Sequence, residues 1–437
     1  MISSIHMAYT FQISIAELPV TLDVFRRQVL TWAQQFPLVA SYTSNGIAYP
    51  YGGFDELIAV SAGQPVEWKQ ENSFEELEQK LTVQQNIWCG YLGYDLKNQV
   101  EKLSSENEDR VGFPPIFFFE PELYLNFQSN SISIFSIKDN ILDKLGQIRA
   151  TPIPAHFETP SLVLRQKVNK EDYIRNVQRV RDYIRDGEVY ELNYCMEFFA
   201  EEVKLSPLAL YLQLNALSPT PFSGFLKYGD LYLLCASPER FLKKEGHKLI
   251  SQPIKGTIRR GTTPEEDLIL QQQLRNDEKE LAENMMIVDL VRNDLRRSCA
   301  TGTIQVEEMF GIYGFRQVSQ MISTITGVLR PENGIADALK GAFPMGSMTG
   351  APKIRAMELI EELEVTKRGL YSGAFGYVKP NQDFDFNVVI RSVQYNAAIG
   401  YLSFMVGSAI TYDSIPEQEY EECLLKAQGI RIALGLE

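Results

Sequence analysis

Apolar residues recur along the 437-residue chain with two periods. Tyr173, Val177, Val180 and Ile184 fall at i, i+4, i+7 and i+11, one face of a helix. Asp186-Gly187 closes that stretch. Helical patterning also runs through 278–295, 351–363 and 417–433. Short apolar or alternating runs predict strands: Ile116-Phe117-Phe118-Phe119, Ser131-Ile132-Ser133-Ile134-Phe135, Tyr232-Leu233-Leu234-Cys235 and Phe386-Asn387-Val388-Val389-Ile390. The two kinds of element are interspersed without the strand–helix rhythm of a doubly wound sheet. Three prolines within 151–160 (TPIPAHFETP) disfavour both helix and sheet, so this stretch reads as a linker. It divides an N-terminal region, 1–160, from a region spanning 161–437.

Composition narrows the class. Hydrophobic residues make up 45% and charged residues 22%, a globular balance that excludes disorder as the dominant state. The length implies two domains or one large, embellished α/β body. Lysine and arginine number 42 against 56 acidic residues, a net charge of −14. That balance argues against a nucleic-acid or anionic-membrane surface. Cys89, Cys195, Cys235, Cys299 and Cys423 are scattered and form no CxxC pair, so buried thiols are expected rather than disulfides or zinc. The N-terminus lacks a basic segment followed by an apolar one, and no apolar run nears the ~20 residues of a membrane helix. A cytoplasmic protein without a leader is expected. No GxGxxG follows a strand and no GxxxxGK[ST] occurs, which disfavours nucleotide binding.

Several short constellations could carry chemistry. Glu280 and Glu283 share a helix face, and Glu419 and Glu422 repeat the spacing, with Lys426 extending that stripe. Oxygen ligands of this kind suit Mg²⁺, although solvated helix faces show the same spacing. In Gly346-Ser347-Met348-Thr349-Gly350-Ala351-Pro352-Lys353, Pro352 suits a first helical turn whose free N–H groups could hold an anion. In Gln252-Pro253-Ile254-Lys255-Gly256-Thr257, an apolar approach to Lys255 would lower its pKa and free the amine as a nucleophile. Glu239, at a strand end in Ser237-Pro238-Glu239-Arg240-Phe241, could be a general acid if burial raises its pKa. Tyr371 and Arg391 are further candidates, the arginine as a carboxylate clamp. Each also has an ordinary structural reading: turn, salt bridge or surface charge.

Taken together and in order, these stretches resemble the chorismate-utilising enzymes, the family of the anthranilate and aminodeoxychorismate synthase large subunits and of isochorismate and salicylate synthases. The resemblance rests on SPERF (237–241), PIKGT (253–257), DEKELAENMMIVDLVRNDL (277–295), STITG (323–327), GSMTGAPKIRAMELI (346–360), GLYSGAFGYV (369–378), FNVVIRS (386–392) and EQEYEECLLKA (417–427). It is looser at FDELIA (54–59) and GYLGYDL (90–96). It implies an α/β fold of two large, mostly antiparallel sheets packed as a sandwich and surrounded by helices, the two regions intertwined. It implies chorismate as substrate and Mg²⁺ as cofactor. Glu283 and Glu422 then resemble the principal metal carboxylates, supported by Glu280 and Glu419. Ser347, Tyr371 and Arg391 resemble pocket residues, with Arg391 on the enolpyruvyl carboxylate. Gly407, Ser408 and Ala409 resemble a glycine-rich loop that donates N–H groups to a carboxylate. Gly256, Thr257, Gln320 and Lys426 fall beside the substrate, and Glu239 resembles the acid that helps the C4 hydroxyl leave.

Lys255 discriminates within the family. Anthranilate synthases have a small residue there, whereas the lysine form resembles the aminodeoxychorismate synthases, in which the amine attacks ring C2. Isochorismate and salicylate synthases use a lysine at the position of Glu191, which disfavours those chemistries here. The resemblance further implies ammonia delivered by a separate glutamine amidotransferase, since no cysteine-centred glutaminase pattern is present. Two departures stand out. Gln320 replaces a family histidine and cannot shuttle a proton near neutral pH, and the Gly-Ser-Ala stretch is bulkier than the usual glycines. The alternatives are an anthranilate synthase large subunit, which Lys255 opposes, and a non-catalytic chorismate- or amino-acid-binding regulator.

Overall fold

The computed structural model describes residues 9–436, apart from 64–67, 70, 84, 155–159 and 317. The segment read for a leader and the middle of the proline-rich linker lie outside the described residues. Among them, two antiparallel sheets form the body, one of twelve strands and one of nine. Both sheets draw strands from either side of residue 160. Leu38–Thr43 pairs with Phe222–Tyr228 in the larger sheet, and Trp88–Leu92 pairs with Ala374–Val378 in the smaller.

The sheets meet face to face through an aromatic layer. Tyr42 of one stacks on Phe375 of the other at 4.6 Å, and its hydroxyl donates to the Gly376 carbonyl. A side chain at Gly224 would run into Phe375, so glycine there sets how closely the sheets approach. The outer face of the larger sheet is covered by Leu22–Ala33, Lys170–Arg185, Pro207–Leu217 and Pro416–Ala433 among other helices. The smaller sheet packs on Ser73–Thr82, Glu278–Arg296 and Ile335–Ala342.

Local chemistry explains the helix limits. Asn169 caps Lys170–Arg185 by accepting from Asp172 N, and the predicted stripe Tyr173, Val177 and Val180 is buried. Gly187, at φ +82°, follows the end of the helix. Asp277 caps Glu278–Arg296 by accepting from Lys279 N and Glu280 N. The third predicted helix begins two residues late, at Lys353. Gly350–Ala351 instead pairs with Leu192 and Glu191, and Pro352 is the cap residue rather than part of the first turn. Thr349 and Ala351 carbonyls accept from Asn193 N and Tyr190 N, tying the loop to the neighbouring strand. All five cysteines are buried free thiols. Among the described residues no helix is long and apolar enough to cross a membrane.

Candidate active site

Two places where the chain passes from one sheet to the other lie side by side. Leu231–Ser237 belongs to the larger sheet and Arg240–Glu245 to the smaller, so Glu239 sits on the first crossover. Phe384–Val388 and Ser392–Asn396 are joined by the second, which carries Arg391 at φ +49°. Val388 N donates to the Glu239 carbonyl and Ala236 N to the Arg391 carbonyl, stitching the crossovers together. Arg240, fully buried, braces the first. It grips Asp385 with two bonds of 2.9 Å and donates to the Pro50 carbonyl at 3.1 Å. Glu239 is 4% exposed, and its Oε1 accepts from Ser347 Oγ at 2.7 Å. Burial pushes Glu239 up to about 7, with the Ser347 bond and the charges of Lys255 and Arg391 pulling back. It is poised as an acid near neutrality.

Lys255 lies in Ile254–Arg259, paired to Val318–Val328. The register slips between Ile254 and Thr257, and Gly256 takes φ +95°. This bulge at glycine aims the lysine out of the ladder. Asn284 Nδ2 donates to the Lys255 carbonyl and Asn284 Oδ1 accepts from Ser323 Oγ, which pins the bulge to the Glu278–Arg296 helix. Lys255 Nζ donates to Glu191 Oε1 at 2.7 Å and lies 4.0 Å from Glu283. The expectation of a lowered pKa is corrected. Burial does pull Lys255 down, but Glu191, Glu283 and Glu239 outweigh it and hold the amine well above its ordinary value. The resemblance sets Glu191 at a site position, but its pairing with Lys255, 64 residues away, is unexpected; it reaches the amine because its strand starts there.

The four expected metal carboxylates come from two helices, Glu278–Arg296 and Pro416–Ala433. They form one electrostatic cluster around Lys279. Burial pulls that lysine down, and Glu283, Glu419, Glu422 and Glu280 more than reverse it. Burial raises Glu280 and, with Glu191 nearby, raises Glu283 to about 7. Lys426 pairs with Glu422 at 2.6 Å and donates to the Gly407 carbonyl at 2.9 Å. Among the described residues no three metal-ligating side chains converge to close a site by themselves. The all-oxygen, charge-crowded set fits a hard cation that takes one or two carboxylates and completes its shell from substrate and water.

A family model described as "chorismate binding enzyme" matches residues 38–431. The chain belongs to the chorismate-binding enzymes. It is 34% identical over 366 residues to anthranilate synthase component 1 of Thermus thermophilus, covering 79% of this chain and 77% of that one. It is 45% identical over 381 residues to a probable chloroplastic aminodeoxychorismate synthase of Oryza sativa subsp. japonica, covering 78% of this chain and 42% of the plant protein. The crystal structure of anthranilate synthase component I from Streptococcus pneumoniae TIGR4 superposes with a TM-score of 0.75 at 29% identity, covering 90% of each chain.

In this chorismate-binding enzyme the remaining expected residues divide. Arg391 and Gln320 line one cleft with Thr220, Pro238 and Phe315. Gln320 is 2% exposed; its Nε2 reaches Thr257 Oγ1 at only 3.5 Å, and its Oε1 has no partner among the described residues. Tyr371 is buried, with its hydroxyl 4.0 Å from Cys195 Sγ. Gly407, Ser408 and Ala409 are not a loop. They lie inside the strand Tyr401–Ile410, paired with Cys195, Tyr194 and Asn193. Glycine is required at 407 because a Cβ would sit 2.4 Å from Cys195 Sγ. Ser408 turns its hydroxyl to Tyr173 OH, into the helix-covered core.

Proposed function

We propose that this chain is the amination component of an aminodeoxychorismate synthase, converting chorismate and ammonia to 4-amino-4-deoxychorismate for 4-aminobenzoate and folate biosynthesis. The observation that carries the proposal is Lys255: an amine aimed by a glycine bulge among Glu191, Glu239 and Glu283. Arg391 holds the enolpyruvyl carboxylate, with Ser347 and Tyr371 beside the substrate. Glu191 Oε1, at 2.7 Å, accepts a proton from Lys255. The neutral amine forms a bond to ring C2 as the double bonds shift and the C4–O bond breaks. Glu239 gives its proton to the departing hydroxyl, which leaves as water. Ammonia adds at C4, the shift reverses, and the C2–N bond breaks to return the Lys255 amine, which retakes its proton from Glu191, while the new C4 ammonium gives a proton back to Glu239.

Glu283 and Glu422, supported by Glu280 and Glu419, would hold Mg²⁺. The ion would supply positive charge to the ring carboxylate. The nitrogen source is ammonia from a separate glutamine amidotransferase, and the setting is the cytoplasm. Pure chain incubated with chorismate, Mg²⁺ and ammonium, with the product identified by mass and chromatography, tests the reading. 4-Amino-4-deoxychorismate is expected; anthranilate or isochorismate as sole product overturns it.

A further inference from the structure

Arg368 and Glu364 form a buried ion pair just past the end of Lys353–Leu363, with side chains 1% and 3% exposed. The pair is a two-bond fork: Nε donates to Glu364 Oε2 at 2.9 Å and Nη2 to Oε1 at 2.6 Å. The other donors leave the pair. Nη1 donates to the Met348 carbonyl at 2.7 Å and to Ser372 Oγ at 3.1 Å, and Nη2 donates to the Asn193 carbonyl at 2.9 Å. All five guanidinium N–H groups are thus used. Glu364 Oε1 also accepts from Cys195 N at 3.0 Å, and the guanidinium lies 4.6 Å from the centre of the Tyr94 ring.

The three outward contacts share one property. Met348 follows Ser347, which holds Glu239. Asn193 lies two residues past Glu191, which holds Lys255. Ser372, at φ +62°, follows Tyr371. One planar cation therefore spans three chain segments that come together only in the fold, and each lies one or two residues from a side chain that grips Glu239 or Lys255 or, at Tyr371, is expected beside the substrate. Arg368 itself meets none of Glu239, Lys255 or Arg391 in a hydrogen bond or ion pair among the described residues.

We propose that Arg368 is a positioning residue that fixes the 346–351 turn, the start of the Glu191–Ala200 strand and the 370–373 turn relative to one another, and so sets the distance between the Glu239 acid and the Lys255 amine. Lysine cannot replace it. An ammonium has three donors and no fork, so at least two of the five bonds are lost while the charge that Glu364 needs is kept.

The test compares Arg368→Lys with Leu145→Ala. Leu145 lies in Ile141–Ala150, a helix of the N-terminal region packed in the core away from these contacts, and serves as a control for lost stability. Amide exchange needs no assumption about activity. In Arg368→Lys, amides of 191–195 and 346–351 are expected to exchange at least about tenfold faster while those of 141–150 keep their rates. The kinetic arm, chorismate consumption with Mg²⁺ and ammonium, rests on the function proposed above. There kcat is expected to fall at least about tenfold with KM changed by less than about threefold, whereas Leu145→Ala lowers Tm and leaves kcat alone. Added to Ser347→Ala, Arg368→Lys is expected to cost markedly less than it does alone, because both act on the same turn. Unchanged local exchange, faster exchange spread evenly along the chain, or a kcat loss that Leu145→Ala reproduces would overturn the proposal. A wild-type chain that consumes no chorismate would sink the function, and the exchange comparison would still decide the role of Arg368.

Discussion

The two halves of the site are built on different principles. Around Glu239, Ser347 and Arg391 the groups are placed by backbone: two sheet crossovers, a turn tied to the neighbouring strand, and a hydrogen bond from Ser347 to Glu239. Around Lys255 and the four glutamates they are placed by charge. There Glu191, Glu283 and Glu422 are partnered by Lys255, Lys279 and Lys426, and Lys279 feels all four of the helix glutamates. Under the proposed function, the first half is pre-organised and would meet substrate as it stands, whereas in the second half the ion pairs would have to exchange partners on entry of an anion and a cation. That difference predicts where substitutions act: on rate in the first half and at the nucleophile, on cation binding among the carboxylates.

Lys255→Ala tests the charged half most severely. Loss of the amine is expected to cost on the order of 10³-fold or more in kcat with ammonium, measured as product formed. Added primary amines are not expected to restore it fully, because the bulge that aims the side chain is part of the effect.

Glu239→Gln strikes the ordered half. A loss of about 10²-fold is expected, with a change in pH dependence. Glu239 is raised from its ordinary value to about 7, so as an acid it works when protonated, and wild-type kcat/KM should fall as pH rises through about 7. The variant should lack that limb. If the limb persists in Glu239→Gln, the acid is another group.

Glu283→Gln separates cation binding from catalysis. Calorimetric titration with Mg²⁺ should show affinity weakened by at least about tenfold, with the fold intact by circular dichroism. An unchanged titration would remove Glu283 from the ligand set.

Gly256→Ala has a smaller effect. At φ +95°, and with Leu274 and Met321 each 3.2 Å from the new Cβ, the bulge is strained by about 1–3 kcal/mol. Lys255 is then mis-aimed, and kcat should fall about tenfold while urea unfolding shifts by that amount.

Ser408→Ala is the mildest. Its hydroxyl faces Tyr173, so about 1 kcal/mol of stability is lost and kcat stays within about twofold. A large loss of activity would restore the reading of 407–409 as a substrate loop.

These cases also show what the chain reveals before it folds. Periodicity located the Lys170–Arg185 stripe and the Glu pairs, because a helix brings i and i+3 together without help from the rest of the molecule. Glu239 as a buried acid was legible from a charged residue closing an apolar strand. The charge on Lys255 was not, because Glu191 approaches through sheet pairing and leaves no local signal. Residues 407–409 read as a loop only through the family resemblance, whereas Gly407 answers to the side chain of Cys195 on the next strand. The Glu239–Ser347 and Arg368–Met348 contacts span 108 and 20 residues and depend on the crossovers, which no periodicity encodes.

The central claim is that Lys255 becomes covalently bonded to the substrate ring. Enzyme mixed with chorismate and Mg²⁺ in the absence of ammonium, quenched with acid and mapped by peptide mass spectrometry, tests it most directly. The account predicts an adduct on Lys255 with the mass of chorismate less one water, discharged when ammonium is supplied before the quench. Active enzyme whose Lys255 stays unmodified throughout turnover, or an adduct that ammonium does not release, would contradict it.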